Sequence, residues 1–547
     1  MESVETMTKR QQRTREFLVL LAGLAVVSGG WLTAGAPGQA TTAASPHVVL
    51  TSEQDRQRMM DALKITAFPP NPGAYLAATY DEKSASPFPT LPDPLTFANG
   101  TKVTSAAQWP RRRAEIKELF DREVYGRRPA NLPKVTWTVA STTENVVNNA
   151  AVVTKQLVGR VDNAAYPALD VTILATLSVP KNAAGRTPVI LAFGGGGAPP
   201  EGVPATTACT LPGDPAPGAR GLGPAGGAAA GAAGAAGAAR GGAAARGVAG
   251  VPPGAGAGAN GPSPQEQIYA RGWAYATVAT GSIQADNGQG LTCGIIGLAN
   301  KGQPRKLDDW GVLSAWGWGM SRVLDYLETD PLVDAKRVAV HGHSRTGKAA
   351  LVAMAYDERF ANGFISSAGQ AGAKLHRRKY GETIQNIAAT NEYHWMAGNY
   401  LKYAANWDAL PVDSHELIAM IAPRPVFLSA GKGPDLNPDG TIKMLDPTSP
   451  NAQAGRGPIE QQAANINDAW VDAKGTFLAG VYAGPVYRLL GKKDLGTTEF
   501  PPIETAVTSG EIGFRQHSAG HTPGPNWPVF LDFAAKYFGS PAPAGNR

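Results

Sequence analysis

The 547-residue sequence predicts an α/β fold: a mainly parallel sheet covered by helices on both faces, three layers in all, preceded by an N-terminal extension. Three observations carry this. Short apolar runs recur at Pro188 to Phe193, Trp273 to Ala279, Val338 to Val340, Gly363 to Ser366, Pro425 to Ser429 and Glu511 to His517, as expected of strands buried on both faces. Helical stretches alternate with them. In Asp308 to Leu327, Trp316, Met320, Val323, Leu324 and Leu327 share a face, and Trp527 to Phe538 closes the chain. Third, Arg337 to Met354 (RVAVHGHSRTGKAALVAM) reads as a strand that bends sharply into a helix, with a serine at the bend.

In chain order, Lys9, Arg10, Arg13 and Arg15 precede the apolar run Phe17 to Val27, and Ala34-Gly35-Ala36 and Gly38-Gln39-Ala40 follow as cleavage sites. Residues 1–40 therefore read as a secretory signal peptide, which implies a secreted or periplasmic protein with no membrane anchor after cleavage. Residues 45–130 form the extension. It has a helix starting within Leu50 to Met60, a proline-rich stretch from Ala67 to Phe97, and a capping box at Ser105-Ala106-Ala107-Gln108. The box opens a helix, Trp109 to Tyr125, with Ile116, Leu119, Phe120 and Val124 on one face.

The main domain spans 131–540. Lys134 to Ala140, Ala151 to Val158 and Leu169 to Val179 carry strand signals. Pro188 to Phe193 runs into Gly194-Gly195-Gly196-Gly197, either a simple turn or a close backbone approach to a ligand that supplies an oxyanion donor. Residues 212–264 are almost all Ala, Gly and Pro. Such an insertion cannot bury enough apolar surface to offset its chain entropy. A second loop insertion spans 431–466.

The formal charge of +6 is spread out, with no basic run interleaved with aromatics, so no nucleic-acid partner is expected. The eight histidines form no HExxH motif and the two cysteines, Cys209 and Cys293, have no metal-ligand spacing, so neither metal nor cofactor is expected. In an exported chain the cysteines are available to pair.

At the bend, Gly342-His343-Ser344-Arg345-Thr346 approaches G-x-S-x-G, but Thr346 stands where the second glycine belongs and Gly347 comes one later. A serine hydroxyl is a weak nucleophile and needs a base. His521, on the loop Ser518-Ala519-Gly520-His521 after the last strand, is best placed. His341 and His343 lie on the elbow strand, and His517 lies inside the last one. The base needs an acid between Ser344 and His521. Asp435, Asp439, Asp446, Asp468 and Asp472 all qualify on chain order.

The elbow Gly342-His343-Ser344-Arg345-Thr346-Gly347-Lys348 resembles the GxSRxGK elbow of the glucuronoyl esterases. The likeness continues through Lys374 to Thr383 (KLHRRKYGET), Leu410 to His415 (LPVDSH), Ile421 to Pro425 (IAPRP), Pro485 to Gly491 (PVYRLLG) and Arg515 to His521 (RQHSAGH). The resemblance implies an α/β-hydrolase fold without metal, acting on esters of (4-O-methyl-)glucuronic acid such as those joining glucuronoxylan to lignin. It implies Ser344 as nucleophile, His521 as base and Arg345 at the oxyanion, with Lys348 and Glu382 on the sugar hydroxyls. Some family members carry the acid as a glutamate after the elbow helix, where this chain has Ser367. Others carry it in a D-x-W-x-D pattern, which Asp468-Ala469-Trp470-Val471-Asp472 resembles. Asp468 is therefore the expected acid, Asp435 the runner-up, and Trp470 the platform for the sugar ring. The expected partner is a glucuronoxylan or lignin–carbohydrate ester, met by a monomer. The alternatives are an acetyl xylan or other carbohydrate esterase on this fold, or a non-catalytic glycan-binding relative.

Overall fold

The computed structural model describes residues 46–69, 80–86, 90–147, 149–181, 183, 185–195, 197–211, 262–435, 437–438, 443 and 467–539. The expected signal peptide and most of both insertions lie outside the described residues. Among the described residues no helix is long and apolar enough to cross a membrane.

The strands are β1 (Val135–Val147), β2 (Ala150–Val161), β3 (Thr172–Pro180), β4 (Thr187–Phe193), β5 (Ala274–Val278), β6 (Val333–His343), β7 (Asn362–Ser366), β8 (Val426–Gly431) and β9 (Ile512–His517). They form one nine-stranded sheet in the order β1-β2-β3-β5-β4-β6-β7-β8-β9. From β5 to β9 neighbouring strands are parallel. β1, β2 and β3 form an antiparallel ribbon, and β3 also pairs antiparallel with β5. For β1 and β2 the reason is connection length: two residues join them, whereas a parallel pair needs a crossover of a dozen or more.

Alternate residues of the central strands feed opposite faces. Val189, Leu191, Val338, Val340, Ile365 and Leu428 join the large core cluster with residues of the helices Val312–Leu327 and Arg345–Tyr356. Ile190, Ala339, Phe364 and Phe427 instead pack with Trp527, Phe530 and Phe533 of the helix Trp527–Phe538. The N-terminal extension contributes Met59, Trp109, Ile116 and Phe120 to the large cluster. Its helix Ser52–Ala62 is closed by a Thr51–Gln54 capping box, and the expected box at Ser105 and Gln108 caps a 3-10 turn leading into Trp109–Glu123.

Several boundaries differ from expectation. β1 continues past Ala140 to Val147 by pairing with β2; its far half is solvent-exposed and so carries no alternation to read in the sequence. The helix expected from Asp308 begins at Val312. The low-complexity insertion ends before Ser263, whose side chain caps the helix Pro264–Ala270, and Gly431 is the last residue of β8 rather than the start of a loop. The helix Ala473–Leu489 was not anticipated, because Pro485 and three glycines lie inside it. Burial of Phe477, Ala483, Val486 and Tyr487 overrides those local preferences.

Cys209 and Cys293 form a disulfide across a sequence separation of 84 residues. Closing so long a loop removes unfolded-state entropy, so Cys293→Ser should lower stability by roughly 3–5 kcal/mol. A melting temperature unchanged by that substitution and by reductant would contradict this.

Candidate active site

β6 ends at His343, and the helix Arg345–Tyr356 begins two residues later. Between them Ser344 is held at φ 59°, ψ −131°, a conformation that L-residues rarely adopt. The turn tolerates no bulk beneath it: a Cβ on Gly342 would lie 2.1 Å from the Thr346 carbonyl oxygen. One on Gly347 would lie 2.8 Å from the Ser366 carbonyl oxygen. Thr346, in the place of the motif's second glycine, staples the bend. Its hydroxyl donates to the His343 carbonyl (2.7 Å) and accepts from the His343 N–H (3.1 Å). The Ser344 N–H donates to the Ser366 carbonyl (3.0 Å), and its partly exposed hydroxyl makes no hydrogen bond among the described residues.

The parallel register brings the C-terminal ends of β6 to β9 side by side. His343 pairs with Ser366, Ser366 with Ser429, and Gly431 with His517. His521 arrives from the loop after β9. Its ring centroid lies 4.3 Å from that of His343, next to Ser344, and 4.5 Å from the Trp470 ring. His521 Nδ1 is 2.5 Å from Asp468 Oδ1. Asp468 has no exposed surface. Its Oδ2 accepts from Ser367 Oγ and from the Gly431 N–H, each at 2.6 Å. Ser367, at the position where other relatives were expected to carry the acid, here donates to Asp468. A Cβ on Gly431 would lie 2.5 Å and 2.7 Å from the carbonyl oxygens of Gly520 and Ala519, and 2.8 Å from Asp468 Cβ. Only a glycine lets these three segments meet. Asp435 does not enter this cluster; it pairs with Lys432 (2.7 Å). Asp472 caps the helix Ala473–Leu489 and pairs with Arg378 (2.7 Å).

A family model described as glucuronyl esterase, fungi, matches residues 305–449. Carbohydrate esterase MZ0003, from an unknown prokaryotic organism, is 30% identical over 481 residues, covering 86% of this chain and 95% of that protein. The chain belongs to the glucuronoyl esterase family. A CE15 glucuronoyl esterase from Teredinibacter turnerae superposes with a TM-score of 0.67 at 32% identity, covering 89% of this chain and 99% of its own. A 4-O-methyl-glucuronoyl methylesterase from Cerrena unicolor is 26% identical over 345 residues, 61% of this chain and 55% of that protein.

The other wall of the site is built around two cations. Arg345 Nη1 donates to Asp286 Oδ2 (2.6 Å), and Asp286 Oδ1 is bonded by Trp395 Nε1 (2.6 Å) and His394 Nε2 (3.0 Å). Burial opposes the charge on Asp286, but the hydrogen bonds and the nearby Arg345 outweigh it and hold the carboxyl well below the usual range. Burial pushes the His394 imidazole down, and its hydrogen bond to Asp286 and the charge there offset this only in part. The Trp395 ring lies 5.6 Å from Arg345 Cζ and 5.8 Å from Lys348 Nζ.

Lys348 is buried, and its three N–H groups go to the Ala368 carbonyl (2.8 Å), the Gln370 carbonyl (2.6 Å) and Glu382 Oε2 (2.7 Å). A sugar hydroxyl can accept a hydrogen bond from Lys348 only by displacing one of these partners. Glu382 Oε2 also accepts from the Gln370 N–H (3.0 Å), while Oε1 has no partner among the described residues. The Glu382 N–H donates to the Trp470 carbonyl (2.8 Å), which links the two walls. Sequence reasoning missed Asp286, His394 and Trp395, since Gln284-Ala285-Asp286-Asn287-Gly288 carries no motif and lies far from the elbow in sequence.

Lys348→Met would leave Glu382 as a nearly buried charge without its partner. Stability to denaturant should fall by roughly 3–5 kcal/mol; a loss under about 1 kcal/mol would show the pair to be dispensable.

Proposed function

We propose that this chain is an exported serine esterase that hydrolyses esters of glucuronic acid, including 4-O-methylglucuronic acid, in glucuronoxylan–lignin linkages, with residues 1–40 as its leader. The observation that carries the reading is the buried Asp468 carboxylate on the Nδ1 of His521, beside a strained Ser344. The names borne by the similar proteins supply the substrate class.

His521 Nε2 takes the proton of Ser344 Oγ as that oxygen attacks the C6 ester carbonyl. Asp468 keeps the imidazole in the tautomer that accepts at Nε2 and stabilises the imidazolium that forms. The tetrahedral oxyanion is held by Arg345, whose guanidinium Asp286 anchors through Nη1; such a donor contributes on the order of 10²–10³ in rate. His521 returns the proton to the departing alcohol oxygen. Water then repeats the sequence on the glucuronoyl-Ser344 ester, with His521 as base, and releases glucuronate. Trp470 forms a platform for the sugar ring, and Glu382 Oε1 accepts from its hydroxyls. Lys348 acts by fixing Glu382.

Turnover of benzyl glucuronate should vanish in Ser344→Ala. It should fall about 10²–10⁴-fold in kcat in Asp468→Asn, and stay within about twofold in Asp435→Asn. Wild-type rates that persist in Ser344→Ala, or faster release of acetate from acetylated xylan than of alcohol from the glucuronate ester, would overturn the assignment.

A further inference from the structure

One carboxyl in this site has no part in that scheme. Glu392 precedes the turn Tyr393–Trp395, three residues before the indole that sits against Arg345 and Lys348. The residue is partly exposed, yet its Oε2 has no solvent access and no hydrogen-bond partner among the described residues. An orphaned buried oxygen of this kind costs about 1–3 kcal/mol, and calls for a partner that arrives from outside the chain.

The groups that face Glu392 narrow what that partner is. The charges of Glu382, Lys348, Arg345 and Asp286, all on other segments, act on it, and His394 lies two residues along its own turn. Lys348 has all three donors engaged. The Trp395 indole N–H and His394 Nε2 are bonded to Asp286, as is Arg345 Nη1. Glu382, paired with Lys348, serves as an acceptor. A sugar presents two kinds of oxygen: hydroxyls, which donate and accept, and ring or ether oxygens, which only accept. Glu382 suits the first kind. The Arg345 N–H groups other than Nη1 are assigned above to the oxyanion, which leaves a protonated carboxyl as the donor for the second kind.

We propose that Glu392 is a substrate-binding residue that, in its protonated form, donates a hydrogen bond to an acceptor-only oxygen of the glucuronoyl group, the ring oxygen or the C4 methyl-ether oxygen. This rests on the glucuronate-ester reading above. Burial, then the neighbouring Glu382 charge, raise the Glu392 carboxyl, and the Lys348 and Arg345 charges offset them only in part; it is pushed up to about 8. The proton is therefore present below about pH 8 and lost above it. Two carboxyls whose charges act on each other then play opposite parts, one accepting and one donating.

The test measures kcat and KM of wild type, Glu392→Ala and Glu392→Gln on benzyl glucuronate and its 4-O-methyl counterpart, between about pH 6 and 9. Glu392→Ala should raise KM about tenfold at neutral pH with little change in kcat. Glu392→Gln keeps a neutral donor in the same shape and should bring KM back to within about threefold of wild type. The wild-type KM should climb above pH 8, and the glutamine variant should show no such climb. A larger loss on the 4-O-methyl ester assigns the contact to the ether oxygen; equal losses assign it to the ring oxygen. A Glu392→Ala enzyme with unchanged KM, or a folded Glu392→Gln enzyme as impaired as Glu392→Ala, would overturn the inference while leaving the esterase reading intact. A wild-type enzyme with no turnover of either ester would overturn both.

Discussion

Asp468 sets the terms for the rest of the site. A carboxylate with no exposed surface is tolerable only where donors replace its lost water. Three converge on it, from the residue after β7, the last residue of β8 and the loop after β9. Charge-assisted bonds of this kind contribute about 1.5–3 kcal/mol each. Together they oblige three neighbouring parallel strands to end at one depth. Gly431 makes that meeting sterically possible. The same interaction that keeps the charge buried orients the imidazole, so packing and chemistry make one demand on these segments.

The second organising element is local strain. Of the nine non-glycine residues with positive φ among the described residues, Ser344, Ser367, Ala371, Asn467 and Asp472 lie on the segments that build the site. Each such conformation costs on the order of 1–3 kcal/mol and persists only where surrounding structure over-determines it. The strained segments are tied down from both sides. Asp468 and its donors grip one wall; the lysine under Glu382 and the Asp286 cluster grip the other. The Glu382-to-Trp470 backbone bond joins them.

What could be read from the sequence follows the range of the interactions. The elbow was legible because its strain is local: Gly342, Ser344 and Gly347 must stand within one turn. The alternation of short apolar runs and helices located the strands for the same reason. That Asp468, of five aspartates, is the one bonded to His521 was not legible from chain order, since it depends on Gly431 and Ser367 closing around it from distant segments; only the resemblance of residues 468–472 to a D-x-W-x-D pattern singled it out. Asp286 left no signal at all, because its role is defined by Arg345, His394 and Trp395, all supplied by other parts of the chain. The helix Ala473–Leu489 was hidden by residues that disfavour helices when exposed and are tolerated here because they are buried.

The Asp468 carboxylate, and no other, should hold the proton on His521 Nδ1. Proton NMR of the folded protein reads that proton directly, as a low-field imidazole N–H resonance. Such a resonance should appear in wild type and in Asp435→Asn, and be lost from its low-field position in Asp468→Ala. A resonance that survives unshifted in Asp468→Ala, or that disappears only in Asp435→Asn, would contradict it.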